Sequence, residues 1–138
     1  MNNPSEIIDT MIEYESQCID KYDSYMSIYS DINTVVANGT PLNNILVPSV
    51  YANIRILLPE CDNLIKEISG LINNALTVYD ICEIYRTSDK TEETINAERT
   101  LEGCLTNMKS YIFKYNALCS QIEQHLQIAK DRITTQNI

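Results

Sequence analysis

Residues 4–37 read PSEIIDTMIEYESQCIDKYDSYMSIYSDINTVVA, and this stretch decides the fold. Apolar side chains recur in it at alternating spacings of three and four residues, which places them on one face of a helix. The apolar row is Ile8, Met11, Cys18, Tyr22, Tyr25, Tyr29, Ile32 and Val36. Glu15 is the one carboxylate in that row. Asn3 and Pro4 provide a helix cap and a first turn, so the stretch predicts an amphipathic helix over residues 4–37.

Two further stretches carry the same spacing and predict helices over about 49–86 and 89–134. The row of the second helix is Val50, Ile54, Leu57, Cys61, Leu64, Ile68, Leu71, Ala75, Val78, Cys82 and Tyr85. The row of the third helix is Ala97, Leu101, Cys104, Met108, Tyr111, Tyr115, Leu118, Ile122, His125 and Ala129. Pro59 lies within the second stretch, and proline removes one backbone hydrogen bond of a helix. We therefore expect the second helix to be kinked or broken there.

The width of the apolar faces predicts the architecture. Each helix has a second apolar row beside the first, and in the first helix this row is Ile12, Ile19 and Met26. A two-stranded coiled coil needs only one narrow row, so faces this wide indicate that each helix contacts two neighbours. Short connections make consecutive helices antiparallel. The sequence therefore predicts an all-α fold, an elongated antiparallel three-helix bundle that forms one domain over residues 1–138.

This arrangement of three long helices resembles spectrin-type repeats, the N-terminal three-helix domains of SNARE proteins and small helical subunits of eukaryotic multi-protein complexes. The resemblance concerns the fold alone and implies no function. No motif of these families is present, and the tryptophan that spectrin-type repeats usually carry is missing.

The charge of the chain excludes some classes of partner. The net charge is −9, and residues 1–37 hold seven acidic residues and one basic residue. Nucleic acids and anionic lipids are bound first by clustered Lys and Arg, which this chain lacks. The acidity either keeps the protein dissolved or steers it toward a partner. We expect protein partners with a basic surface or an amphipathic helix, and an assembly of identical chains is compatible with the sequence.

The five cysteines are Cys18, Cys61, Cys82, Cys104 and Cys119. They lie on the apolar rows, their number is odd, and no two have the CxxC spacing of redox or zinc sites. We expect all five to be buried and reduced, as in the cytoplasm or another reducing compartment inside the cell. The sequence opens without the pattern of a signal peptide and has no apolar run long enough to span a membrane.

The chain has one histidine, His125, which falls on the apolar row of the third helix. Catalysis by a serine or cysteine nucleophile needs a histidine or other base beside it, and a di-iron bundle site needs two histidines. We interpret His125 as a structural residue. The sequence predicts no catalytic residue, no metal site and no cofactor.

Phe113 is the candidate for partner binding. It is the only phenylalanine of the chain and lies on the outward row of the third helix, next to Lys109. The small residues Gly103, Ser110 and Ala117 follow one another beside it at intervals of seven. An exposed aromatic beside small residues is typical of a groove that receives a helix. The other interpretation is an isolated surface aromatic, which needs no function.

These features predict a non-catalytic interaction module, an adaptor or small structural subunit of a larger assembly that binds through its helical faces. One alternative is a partner or carrier protein of an export or membrane-trafficking system that acts through its acidic first helix. Another is a small-ligand carrier or enzyme that uses the tyrosine-rich core, since nine tyrosines accompany a single phenylalanine and no tryptophan.

Overall fold

The computed structural model of this protein describes residues 3–37 and 48–136, and the side chains of residues 3–34 and 52–131. Three helices cover nearly all of this part of the chain: α1 (Pro4–Ala37), α2 (Pro48–Thr87) and α3 (Thr91–Gln136). The predicted all-α fold of three antiparallel helices is confirmed. Val36 and Val50 of the predicted rows lie outside the residues whose side chains are described.

Helix α1 begins where its sequence predicts. The Asn3 side chain accepts a hydrogen bond from the Ser5 backbone at 3.1 Å, and the Asn3 carbonyl accepts bonds from Glu6 and Ile7. These contacts occupy backbone donors that have no partner within the helix itself. Pro4, which has no N–H to lose, follows the cap.

Helix α2 continues through Pro59 as one helix. Pro59 is exposed, so the carbonyl that its missing N–H would have bonded four residues earlier is on the solvent side. Water can then satisfy that carbonyl. This explains why two abutting helices, the alternative interpretation of this stretch, do not form.

Helix α3 begins at Thr91, two residues later than the sequence predicts, because of how α2 ends. Asp89 has a φ of 58°, in the left-handed region. Its N–H bonds the Arg86 carbonyl at 3.3 Å, and the Lys90 N–H bonds the Tyr85 carbonyl at 3.0 Å. This pair of bonds is the Schellman ending of a helix. Asp89 therefore belongs to the end of α2 and cannot cap α3.

The chain forms two compact units, and all three helices contribute to both. The first unit comprises residues 1–18 and 64–114. Its buried apolar side chains are Ile7, Ile8, Met11 and Cys18 from α1, Ile65, Ile68, Ile72, Ala75 and Cys82 from α2, and Ala97, Leu101, Leu105 and Met108 from α3. Glu15 is half-buried here and accepts a hydrogen bond from the Ser69 hydroxyl. A hydrogen bond from α2 therefore stabilises this acid within an otherwise apolar row.

The second unit comprises residues 19–63 and 115–138. Its buried apolar side chains are Tyr25 and Ile32 from α1, Ile54, Leu58 and Cys61 from α2, and Tyr115, Leu118, Cys119, Ile122, Leu126 and Ala129 from α3. Four of these carry a hydroxyl or thiol group that takes part in hydrogen bonds between helices, namely Tyr25, Cys61, Tyr115 and Cys119. The core of this unit is thus partly polar.

The second apolar row of α1 is only partly covered by the neighbouring helices. Ile12, Ile19 and Met26 remain 45%, 37% and 38% exposed. The buried positions of α1 include Ile7, which is 1% exposed and lies on the other flank of the row. Because one helix can turn only one wide face inward, burying that flank leaves Ile12, Ile19 and Met26 toward solvent. The second rows of α2 and α3 are buried at Leu58, Ile65, Ile72, Leu105, Cys119 and Leu126.

Candidate functional site

Phe113 points into solvent, as its position in the sequence predicts. It lies on α3 in the first unit, and 79% of its side chain is exposed, more than any other large apolar side chain of the described residues. Contacts within the protein therefore cover little of the Phe113 side chain. Leaving a benzyl group in water forgoes the roughly 1.5–3 kcal/mol that its burial would contribute.

The residues predicted to surround Phe113 are also on the surface. Lys109, Ser110 and Gly103 are exposed in the first unit. A Cβ atom added at Gly103 would meet no atom within 4 Å, so no close contact inside the protein requires a glycine there. Ala117 is exposed as well, but it belongs to the second unit. The structure supports the surface position of these residues, and their role in binding stays a prediction.

A hydrogen-bonded cluster in the second unit was not predicted from the sequence. The Cys61 thiol donates to the Tyr115 hydroxyl at 3.2 Å, which joins α2 to α3. The Tyr25 hydroxyl donates to the Glu123 carboxylate, which joins α1 to α3. Cys119 lies among these groups and is hydrogen-bonded to Cys61, Tyr25 and Tyr115. We call Tyr25, Cys61, Tyr115, Cys119 and Glu123 the cysteine–tyrosine cluster.

The cluster changes the acidity of two of its groups. The hydrogen bond with Cys61, followed by those with Tyr25 and Tyr115 and by the charge of Lys21, lowers the pKa of the Cys119 thiol to about 6, against the opposing effect of burial. Burial and hydrogen bonding to Glu123 and Cys119 raise the pKa of Tyr25 far above its usual value. The Tyr25 hydroxyl is therefore a permanent donor, and Cys119 is the acceptor at the centre.

The two thiols of this cluster are shielded from solvent. Cys119 is 2% exposed and Cys61 is 0% exposed, whereas cysteines that react as nucleophiles are partly accessible. Burial raises the pKa of the Cys82 and Cys104 thiols, which makes these two less nucleophilic at neutral pH. The arrangement can hold three helices together through a few buried polar bonds. One signal of it was present in the sequence, since Tyr115, Cys119 and Glu123 are spaced four residues apart on one helix face.

Four of the five cysteines are buried as the sequence predicts, and Cys104 is the exception. Cys18, Cys61, Cys82 and Cys119 are buried, Cys104 is half-buried, and all five are free thiols. His125 is half-buried, and its Nδ1 atom is buried without a hydrogen-bond partner among the described residues. In the described ranges 3–37 and 48–136, no group of three or more His, Cys, Asp or Glu side chains is arranged to bind a metal ion.

The tyrosines of α1 line an open surface groove in the second unit. Half-buried Tyr22 and Tyr29 lie there with Met26 from α1 and with Arg55 and Pro59 from α2, around a volume of about 280 Å³. A site that sequesters a small ligand buries most of the ligand's surface. A shallow groove of this kind offers contact on one side only.

No protein-family model matches the chain, and no curated protein or solved structure is detectably similar to it. None of the described helical segments combines the length and the apolar character that crossing a lipid bilayer requires. Any function must therefore be argued from the surface and the core of this chain alone.

Proposed function

We propose that this protein is a non-catalytic interaction module, an adaptor or small subunit of a larger assembly that binds a protein partner through a helical face centred on Phe113. The observation that carries the proposal is the 79% exposure of Phe113. Aromatic side chains that become buried on binding are the usual centres of interfaces. The open space at Gly103 supports it, since a glycine inside a helix lowers stability and has no packing reason here.

The partner we expect presents an apolar pocket or helix face to Phe113. Lys109 and Ser110 at the edge of the surface would contribute polar contacts that fix orientation. The overall charge of −9 would favour a partner with basic residues around its apolar contact.

The test is a comparison of Phe113→Ala with wild-type protein in affinity purification from the cells that produce it. We expect the variant to lose a specific partner, with an affinity lower by about tenfold or more, on the order of 1.4 kcal/mol. Its melting temperature should stay nearly unchanged, because little of Phe113 is packed inside the protein. Ile95→Ala, at 40% exposure on the same helix and in the same unit, is the matched control and should keep the partner.

Two results would contradict the proposal. If Phe113→Ala retains every partner of the wild type, the surface around Phe113 does not bind. If the free energy of unfolding of the variant is lower by several kcal/mol, a cost typical of removing a core aromatic, then Phe113 is packed inside the protein in solution.

A second candidate function uses α1, as a partner of an export or membrane-trafficking system. What supports it is the exposure of Ile19 and Met26, seven residues apart on α1 in the second unit, together with exposed Asp20 and Asp23. Apolar side chains next to acidic ones are suited to a basic amphipathic partner. Ile19→Ser would weaken such a partner, and Phe113→Ala would not, so the two candidates are separable.

A further inference from the structure

A second surface with no role in the proposed function lies in the first unit, where α2 and α3 flank an open groove of about 330 Å³. The α2 wall of the groove is formed by Val78, Ile81 and Tyr85. The α3 wall includes Asn96 and Thr100, with the buried Ala97 at its base. The groove runs between two antiparallel helices, the shape into which a further helix packs.

The α2 side of this groove is more apolar than intramolecular packing requires. Ile81 is 42% exposed. By contrast, Ile68 and Ile72 of the same helix are 0% and 6% exposed. An isoleucine in solvent forgoes burial energy that a partner would recover. We call the surface formed by Val78, Ile81, Tyr85 and the α3 wall the α2–α3 groove.

The α3 wall allows close approach. Asn96 and Thr100 are four residues apart and are therefore neighbours on the helix surface. Both are exposed and have short side chains. A second helix can lie over these two residues, and the aliphatic side chains of α2 would then contact it from the other wall.

Charge identifies the class of partner. Residues 78–100 contain six acidic and three basic residues, a net charge of −3. Glu93 lines the groove itself. Arg86 is held by Glu83 in an ion pair of 3.0 Å, which reduces its effect on an approaching partner. A second copy of this chain would bring the same acidic residues against these, so it is disfavoured.

We propose that the α2–α3 groove binds an amphipathic helix of a partner protein, with aliphatic residues on the face that contacts Val78 and Ile81 and with Lys or Arg along its edges. This binding mode places apolar anchors at intervals of three and four residues in the groove. A basic edge would lie against Glu93. The inference goes beyond the proposed function, because it concerns a different surface from that of Phe113.

The experiment is a selection from a displayed library of helical peptides on the immobilised full chain, followed by fluorescence anisotropy with the enriched peptides. We expect enriched sequences to carry aliphatic residues at helical spacing with Lys or Arg beside them. Ile81→Ser, in the wall of the groove, should weaken their binding by about tenfold or more. Ile56→Ser removes an isoleucine that is 58% exposed in the second unit, so it is the matched control and should bind as the wild type does.

Two further variants separate this inference from its alternatives. Glu93→Lys should weaken the basic peptides and reduce the salt dependence of their binding, because one attractive charge is reversed. Phe113→Ala should leave these peptides bound, so failure of the Phe113 proposal and failure of this one are distinguishable.

Three results would overturn the inference. The first is a selection that enriches no helical peptide or enriches acidic ones. The second is binding that Ile81→Ser leaves unchanged or that Ile56→Ser weakens equally. The third is a concentration-dependent dimer in sedimentation that Ile81→Ser abolishes, since a second copy would then occupy the groove.

Discussion

Replacing Tyr25 by Phe tests how the cysteine–tyrosine cluster holds the second unit together. The change removes one hydroxyl from a side chain that is 5% exposed and keeps its ring. That hydroxyl donates to Glu123 and is also hydrogen-bonded to Cys119. Because Glu123 is exposed, water can take the place of the lost donor there. We expect the free energy of unfolding to fall by about 0.5–1.5 kcal/mol, the usual net effect of one hydrogen bond.

The same change should raise the pKa of the Cys119 thiol above its wild-type value of about 6, because one of the hydrogen bonds that lower it is lost. The Tyr25 hydroxyl has a single hydrogen, for which Glu123 and Cys119 compete. Glu123→Ala removes that competition and should lower the pKa of Cys119 or leave it unchanged. Of the two variants, only Tyr25→Phe should therefore raise the pKa of this thiol.

The lowered pKa also makes stability depend on pH. An unfolded cysteine titrates at about 8.5, so the thiolate of Cys119 contributes stability above that pH and loses it as the pH falls through about 6. Between these values the unfolded state binds more protons, and stability rises with pH by at most about 1.4 kcal/mol per unit. Tyr25→Phe should raise the lower limit of this pH range, because it raises the pKa of Cys119 in the folded protein. Cys119→Ser should abolish the part of the pH dependence of stability that Cys119 contributes.

Nuclear magnetic resonance of isotope-labelled cysteine gives one titration curve for each thiol, assigned by substitution. Urea unfolding followed by circular dichroism gives the stability at each pH. Tyr14→Phe, a half-buried tyrosine of the first unit, is the matched control and should leave the Cys119 titration unchanged. The prediction is wrong if the Cys119 thiol of the wild type titrates at or above about 8.5. It is also wrong if Tyr25→Phe leaves the pKa of that thiol unchanged.

Three further predictions concern single residues. Gly103→Ala should stabilise the protein by about 0.5–1 kcal/mol in urea unfolding, because the added methyl group meets no atom and alanine favours a helix. Gly70→Ala, also in open space on a helix, should do the same. A loss of stability at either site would contradict the structure. A thiol reagent added to the folded protein should label Cys104 first, because it is half-buried whereas the other four cysteines are buried; rapid labelling of two or more thiols without denaturant would be inconsistent with that burial. His125→Gln should change the free energy of unfolding by less than about 1.5 kcal/mol, because Nδ1 makes no hydrogen bond that can be lost; a larger loss in thermal or urea unfolding would indicate a contact of His125 on which the fold depends.

The buried rows of the three helices were predictable because helical periodicity is a local property of the chain. Met11, Ile68 and Met108 lie on rows of spacing three and four, and each is 0% exposed. The start of α1 was predictable for the same reason, since Asn3 caps the helix through atoms only two or three residues away. The exposure of Phe113 also followed from its position opposite the apolar row of α3.

Features that depend on a second helix could not be predicted from spacing alone. Glu15 pairs with Ser69, and Cys61 with Tyr115, each across 54 positions of the sequence. The end of α2 at Asp89 depends on backbone bonds that form only once that residue adopts a left-handed conformation. These contacts arise when helices adopt one particular rotation and register against each other.

The sequence by itself therefore determined that the chain forms three helices with wide apolar faces, and that Phe113 lies away from those faces. The tertiary structure alone decided which flank of each face is covered. It buried Ile7 and left Ile12 at 45% exposure, and it left Ile81 at 42% exposure in the wall of the α2–α3 groove. The physical reason is that apolar periodicity fixes which residues share a helix face, whereas the rotation of each helix is set by packing all the helices of a unit at once.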